Sequence, residues 1–363
     1  MSINILPFPD QVVRGIGAID QAGDICKKYG RRVLVIGGKT ALEIAEERIT
    51  ISLKKANVEI VGIEWYGGEC SKNNIDNLVK KVECHKADII LAVGGGKAMD
   101  TGKAIGVFTK LPVITIPTIA ATCAAVTPLT VLYNEKGEFV ENMFYDVCPT
   151  SVIIDSDIIL NAPSKWLIAG IGDTLAKMYE LRAAAKGIST TSSTISAVSN
   201  GEICYNIIKK FGKDARMAVE TKKMNDGFEA TVDAIIVIAG LSSIFGGEEI
   251  RNAAAHGIYN GFTKIPVMHT VAHGLIVGYG NLCLLALEER SDVEILEEIE
   301  LALDCGIPTT LNQLAELSED EIKIGAEASA VSKAMSCMPF TVSADMVIRA
   351  IKRVDNLAMK ASQ

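Results

Sequence analysis

Two hydrophobic rhythms divide the chain. Up to about residue 160, short β-branched runs alternate with amphipathic stretches. Residues 32–37 (RVLVIG) read as a buried strand and 41–56 as a helix; 58–65 (VEIVGIEW) read as a second strand, with a helix over 74–85. A third strand over 88–93 (DIILAV) enters three glycines and a helical segment, a fourth covers 112–117 (PVITIP), and 152–155 (VIID) reads as the last. Continuous apolar strands separated by helices predict a parallel sheet covered on both faces. Beyond residue 160 strand signals stop. Segments with a helical period take over at 164–186, 233–245, 248–261, 271–289 and 293–303. The expectation is an α/β domain over 1–160 and an all-α domain over 161–363, with a ligand cleft between them.

Composition agrees with that division. A chain of 363 residues, 49% hydrophobic and 22% charged, suits about two domains at roughly 150 residues each. The net charge of −8, without a basic block, argues against a nucleic-acid or anionic-membrane partner, since both need clustered Lys and Arg. The nine cysteines include no CxxC pair, which predicts a reduced, cytoplasmic chain rather than a disulfide framework or a thiolate zinc site. The N-terminal MSINILPFPDQVVRG lacks the basic and apolar regions of a secretory signal. Residues 111–134 carry no charge, but Pro112, Pro117 and Pro128 and several threonines fit a buried strand and polar turn better than a membrane span.

Gly94-Gly95-Gly96-Lys97 follows a strand and opens a helix that includes Asp100. Glycines there let backbone N–H groups approach a phosphate, and the helix dipole favours an anion. The alternative is a tight turn without a ligand, and neither the GxGxxG nor the Walker pattern is present. The next strand runs into Thr118, Cys123 and Thr127, small and hydroxylated residues where open α/β sheets bind ligands. An ordinary loop tightened by threonines would look the same.

Only four histidines occur, and His256, His269 and His273 fall within eighteen residues. His269 and His273 are spaced to share one face if their segment is helical. Asp173 interrupts an apolar helix (LIAGIGDTLAKMY), and a buried carboxylate needs a cation or metal. One carboxylate, two imidazoles and an open position would suit zinc or ferrous iron. Satisfied core groups are the alternative, and spacing alone does not bring Asp173 to the histidines.

GGGKxxDxxK after a strand, then PTIAAT, GIGDTLAK, a helical His and HG resemble, in order, the glycerol dehydrogenase group of the metal-dependent (iron-containing) alcohol dehydrogenases. The resemblance runs from Tyr66-Gly67-Gly68-Glu69-Cys70-Ser71 to His273-Gly274. Within the group, residues 117–128, 160–163 and 170–177 look nearest to the hydroxycarboxylate dehydrogenase branch. It implies a Rossmann-like nucleotide-binding domain, a helical metal- and substrate-binding domain (the dehydroquinate synthase-like fold), and a homo-oligomer. It also implies Asp173, His256 and His273 as ligands of one divalent metal, with zinc the leading choice and iron, manganese or nickel open. His269 would sit nearby, either supporting the ligands from behind or relaying a proton. Gly96, Lys97 and Asp100 would line the pyrophosphate and nicotinamide of NAD or NADP, and Thr118, Thr127, Leu129 and Tyr133 would complete the cofactor site.

Two departures bear on chemistry. Glycerol dehydrogenases typically carry an Asp where this chain has Cys123, and a neutral group removes repulsion of a substrate carboxylate. Gly37-Gly38-Lys39 stands where NAD users often have an acid that contacts the ribose, which leaves room for a 2′-phosphate. Tyr259 also replaces a frequent histidine. The leading expectation is thus NAD(P)-linked interconversion of a small 2-hydroxy and 2-oxo acid, with Cys123 in the catalytic elbow. Glycerol oxidation to dihydroxyacetone is the alternative. A dehydroquinate synthase-like lyase is remote, because no Lys/Arg cluster accompanies the histidines, and so is a non-catalytic nucleotide binder, because the three metal-ligand positions are intact.

Overall fold

The computed structural model describes residues 5–361. Backbone contacts divide it after Ala162 into two units. The first holds strands β1 (Gln11–Gly15), β2 (Arg32–Gly37), β3 (Glu59–Trp65), β4 (Ile89–Gly94), β5 (Val113–Pro117), β6 (Leu129–Tyr133), β7 (Phe139–Phe144) and β8 (Ser151–Asp155). Its helices are α1 (Ala22–Cys26), α2 (Lys39–Lys55), α3 (Lys72–His85), α4 (Gly96–Thr109) and α5 (Ser156–Asn161). Six strands form one parallel sheet in the order β1-β8-β5-β4-β2-β3. β2 and β4 are apolar on both faces because helices cover both. Val33, Val35, Ile89, Leu91, Val93, Ile114, Ile116 and Ile153 bury one face against α2 and α1.

The strand order fixes where a ligand can enter. From β2 the chain goes outward to β3 and then crosses back to β4 on β2's other side. The carboxyl ends of β2 and β4 therefore diverge at a topological switch point, where open sheets leave a crevice.

β1 and the β6–β7 hairpin lie outside the sequence expectation. The hairpin is antiparallel and separate from the main sheet. Its turn closes when Gly137, at φ +79°, donates to the Asn134 carbonyl.

The second unit is helical: α6 (Ser164–Ala185), α7 (Ser192–Thr221), α8 (Asp226–Asp233), α9 (Ala239–Ile250), α10 (Ala254–Phe262), α11 (His273–Leu287), α12 (Asp292–Cys305), α13 (Glu319–Ala330) and α14 (Ala344–Ala361). The expected helix over 248–261 is broken. Residues 251–253 leave the helix, Ala253 takes the non-helical φ −150°, ψ −131°, and α10 begins only at Ala254; a kink at Gly247 (φ +56°, ψ −149°) lies just before this stretch. The expected helix over 233–245 contains a π-turn, Ala234–Ile238. One run, Asp226–Ile250, is long and apolar enough to cross a membrane by length and composition, and 61% of its window is buried inside the protein.

Glycines decide how the central helices cross. A Cβ on Gly172 of α6 would lie 2.2 Å from the Gly274 carbonyl oxygen of α11, and one on Gly274 would lie 1.9 Å from that of Ala169. A Cβ on Gly280 of α11 would lie 2.9 Å from the Ala255 carbonyl oxygen of α10. Only hydrogen fits at these crossings, so α6, α10 and α11 meet backbone to backbone. Asn281 adds a hydrogen bond from its side-chain amide to the Gly172 carbonyl, at 3.0 Å.

Candidate functional site

The first unit offers a phosphate cradle at the switch point. Gly94 ends β4 at φ +144°, a conformation that favours glycine. Gly95 caps α4 in extended form, with no side chain satisfying the first turn. A Cβ on Gly95 would meet Ile119 Cδ1 at 2.7 Å, and one on Gly96 would meet Thr122 Oγ1 at 3.2 Å. The loop therefore presents bare backbone N–H groups, at the positive end of a helix, against the elbow that follows β5. Thr118 N–H donates to the Gly94 carbonyl at 3.0 Å and ties the two segments together.

The side chains around this loop divide by task. Lys97 is half-exposed, pairs with Glu69 and lies 5.5 Å over the Tyr133 ring. Tyr133 N–H donates to the Cys70 carbonyl at 2.9 Å, which brings the Tyr66–Ser71 motif alongside. Asp100, expected to line the cofactor, is buried against the elbow. Its Oδ2 accepts from Val131 N–H at 3.0 Å, its Oδ1 lies 2.7 Å from Lys103 Nζ, and its carbonyl accepts from Thr130 Oγ1 at 2.8 Å. Lys103 donates to the carbonyls of Ala124, Thr127 and Leu129. This buried pair holds the elbow in place, so Thr127 and Leu129 contribute backbone oxygens to a brace. Cys123 is buried in the same elbow, and its carbonyl accepts from Val126 N–H at 3.1 Å.

In the second unit, the glycine-mediated crossings bring Asp173, His256 and His273 together. One ligand atom from each lies within 4.8 Å of the others. The Nε2 atoms of both imidazoles stand 3.3 Å from the same Asp173 oxygen. That is longer than a charge-assisted hydrogen bond of about 2.7–2.9 Å. A carboxylate and two imidazoles converging on one point form the donor set of a divalent metal site with an open position. His273 Nδ1 is buried without a hydrogen-bond partner, and the Tyr259 ring packs edge-on against the His273 ring at 4.2 Å.

Two further charged groups share the face of α6 with Asp173. Lys177 is 1% exposed and Glu180 is fully buried. Glu180 Oε2 lies 2.5 Å from His256 Nδ1, while Oε1 accepts from the backbone N–H groups of Ala253 (2.7 Å) and His256 (2.9 Å). Glu180 thereby supplies the cap that α10 lacks from its own sequence.

The electrostatics follow from this packing. Burial pushes the Asp173 carboxyl up, but Lys177 and the two imidazoles outweigh it and hold the group well below the usual carboxylate range. Burial would lower His256, yet the Glu180 charge and the Asp173 contact leave it above the ordinary imidazole value. Burial wins at His273, which is lowered despite Asp173. Two imidazoles on one carboxylate are thus pushed in opposite directions.

His269 corrects the helix-face expectation. It lies exposed in a 3-10 turn, Pro266–Thr270, and Val271 and Ala272 are extended before α11 starts at His273. Its Nε2 lies 2.6 Å from the Thr263 carbonyl. Among the described residues no hydrogen bond or ion pair joins it to Asp173, His256 or His273. Sequence reasoning also passed over Lys177 and Glu180. The signal was present: charges at Asp173, Lys177 and Glu180 in an apolar helix follow the i, i+4, i+7 spacing of one face.

Comparison with known proteins decides the family. The sequence profile described as iron-containing alcohol dehydrogenase matches residues 9–156. A glycerol dehydrogenase of Escherichia coli O6:H1 is 35% identical over 99% of this chain and 98% of its own. The chain belongs to the iron-containing alcohol dehydrogenase family. Hydroxycarboxylate dehydrogenase A of Escherichia coli K12 is 32% identical over 90% of each chain. The crystal structure of a probable glycerol dehydrogenase from Sinorhizobium meliloti superposes with a TM-score of 0.89 at 29% identity, covering 99% of this chain and all of that one. As a member of this NAD(P)-dependent, metal-binding family, the protein is an oxidoreductase acting on CH–OH groups. That activity displaces the lyase and non-catalytic alternatives.

Proposed function

We propose that this dehydrogenase interconverts a small vicinal diol, glycerol or a close relative, with the corresponding hydroxyketone. The convergence of Asp173, His256 and His273 within 4.8 Å carries the chemistry. Full-length similarity to proteins called glycerol dehydrogenases favours the diol over the 2-hydroxy acid expected from the sequence. When bound, a divalent ion held by Asp173, His256 and His273 would supply Lewis-acid polarisation of the reacting oxygen, and a nicotinamide would supply the hydride acceptor or donor. The chain's own residues do the rest. The Gly94–Gly96 backbone binds the pyrophosphate, the Asp100–Lys103 brace fixes the elbow carrying Thr118 and Cys123, and Lys177 offsets the buried carboxylates of Asp173 and Glu180.

The second reading, a 2-hydroxy acid, rests on Cys123, a neutral buried group where glycerol dehydrogenases typically carry an acid. For the nucleotide we favour NADP(H). Gly38 has an ordinary extended backbone (φ −74°, ψ 147°), and a Cβ there would meet only Tyr66 Cε1 at 3.5 Å and Ala41 Cβ at 3.9 Å. The fold does not require glycine at that position, so its lack of a side chain leaves space beside the ribose. All nine thiols are free, which suits a reducing compartment such as the cytoplasm.

The test is NAD(P)H turnover by zinc-loaded protein, with glycerol oxidation run beside 2-oxobutyrate reduction. Glycerol turnover is expected. Fast 2-oxobutyrate reduction without glycerol turnover would install the second reading, and neither activity would overturn both.

A further inference from the structure

We infer that Glu180 is a positioning residue for the metal: its carboxylate holds the His256 ring proton on Nδ1 and so presents the Nε2 lone pair to the ion. This rests on the metal-site reading above. The Glu180 carboxylate is fully buried and its two oxygens are divided. Oε1 takes the N–H groups of Ala253 and His256, which fixes where α10 begins, and Oε2 meets Nδ1 of the same histidine at 2.5 Å. The residue is therefore gripped at backbone and ring by one acceptor, and its remaining nitrogen, Nε2, points at Asp173.

Carboxylates that receive the outer N–H of a ligating imidazole fix its tautomer and orientation. His273 makes the contrast within the same site. Its Nδ1 is buried without a hydrogen-bond partner, and its ring is set instead by the edge of Tyr259. One imidazole of the pair is thus fixed by a charge and the other by packing, which predicts unequal responses to substitution.

Glu180→Gln is nearly isosteric and puts the two roles in conflict. Two backbone N–H groups and one ring N–H all need an acceptor, but the amide has only one oxygen. If that oxygen stays with Ala253 and His256 N–H, the amide nitrogen faces Nδ1 and favours the tautomer protonated on Nε2, which cannot ligate.

The experiment uses the full chain labelled with 15N-histidine, in which only four rings report. Wild-type His256 should show the Nδ1–H tautomer once neutral, and Glu180→Gln should shift it toward Nε2–H, with His273 unmoved. Zinc affinity, measured by chelator competition, should fall by about 10–100-fold. A wild-type His256 in the Nε2–H form would overturn the inference without any variant, which covers the case in which Glu180→Gln fails to fold. So would a folded Glu180→Gln protein with wild-type tautomer and zinc affinity. Wild-type protein that binds no divalent ion would instead remove the metal-site reading, and this inference with it.

Discussion

Gly172→Ala tests whether the helix crossing builds the metal site. An alanine Cβ would stand 2.2 Å from the Gly274 carbonyl oxygen and 3.1 Å from the Gly278 Cα. Those neighbours are backbone, so no side chain can swing away, and α6 and α11 must separate by about 1 Å to restore van der Waals contact. Overpacking of this kind costs about 1–3 kcal/mol, and each kcal/mol lowers the melting midpoint by about 2–4 °C for a unit of this size. The ligand atoms suffer more than the fold does. Asp173 is the next residue on α6 and His273 precedes Gly274 on α11, so the separation acts directly between them, whereas metal–ligand distances tolerate only about 0.2 Å. Zinc affinity should drop at least about tenfold, with a melting loss no larger than that of an ordinary core substitution. Differential scanning calorimetry with and without zinc, paired with chelator competition, measures both. Gly172→Ala protein with wild-type zinc affinity would refute the claim that the backbone crossing sets the ligand geometry.

Three other outcomes follow from the same structure. Gly38→Asp should place a carboxylate beside the ribose without disturbing the fold and move nucleotide preference from NADPH toward NADH by about tenfold or more; equal NADPH and NADH binding in both proteins, read by fluorescence titration, would contradict it. Cys123→Asp should raise the ratio of glycerol to 2-oxobutyrate turnover, through attraction of the hydroxyls and repulsion of the carboxylate, and an unchanged ratio would remove Cys123 from the specificity argument. The third concerns pH. Glu180 and Asp173 hold His256 above the ordinary imidazole value of 6.5 despite its burial. Its contribution to metal-free stability is therefore fully present below about pH 6.5 and lost as pH rises through the folded value. Zinc affinity should change the opposite way, rising over the same window as zinc displaces that proton. Calorimetry in buffers of different ionisation enthalpy reads the proton released, and a flat zinc affinity between about pH 6 and 9 would sink the argument.

Much of the fold was legible because burial on both faces writes strands in plain β-branched runs. RVLVIG and DIILAV occupy β2 and β4 nearly to the residue. The longest helix, α7, was not read. Its segment is rich in Ser, Thr, Asn and Gly, poor helix formers, and tertiary packing against α6 and α9 overrides that propensity. The break over 251–253 was missed for the opposite reason: Ala253, Ala254 and Ala255 continue a helical composition straight across it.

The site was legible in its atoms but not in their assignments. Residue type singled out Asp173 with His256, His269 and His273, since a carboxylate in an apolar helix is costly enough to demand a partner, and the family resemblance then picked Asp173, His256 and His273 as the ligands. What sequence could not convey is which charges a fold spends on ligands and which on itself. Asp100 and Lys103 sit in the glycine-loop helix, as phosphate-contacting residues do, yet they satisfy each other and the elbow's backbone. Glu180 lies seven residues beyond Asp173 and carries no motif of its own, yet it caps α10 and grips His256. The difference lies in distant backbone groups. Asp100 meets the N–H of Val131, thirty-one residues away, and Glu180 meets that of Ala253, seventy-three away. A buried charge finds its role from whichever unsatisfied N–H or C=O the chain brings to it. Periodicity marks that such a group exists, and the long-range packing of the chain decides which one it meets.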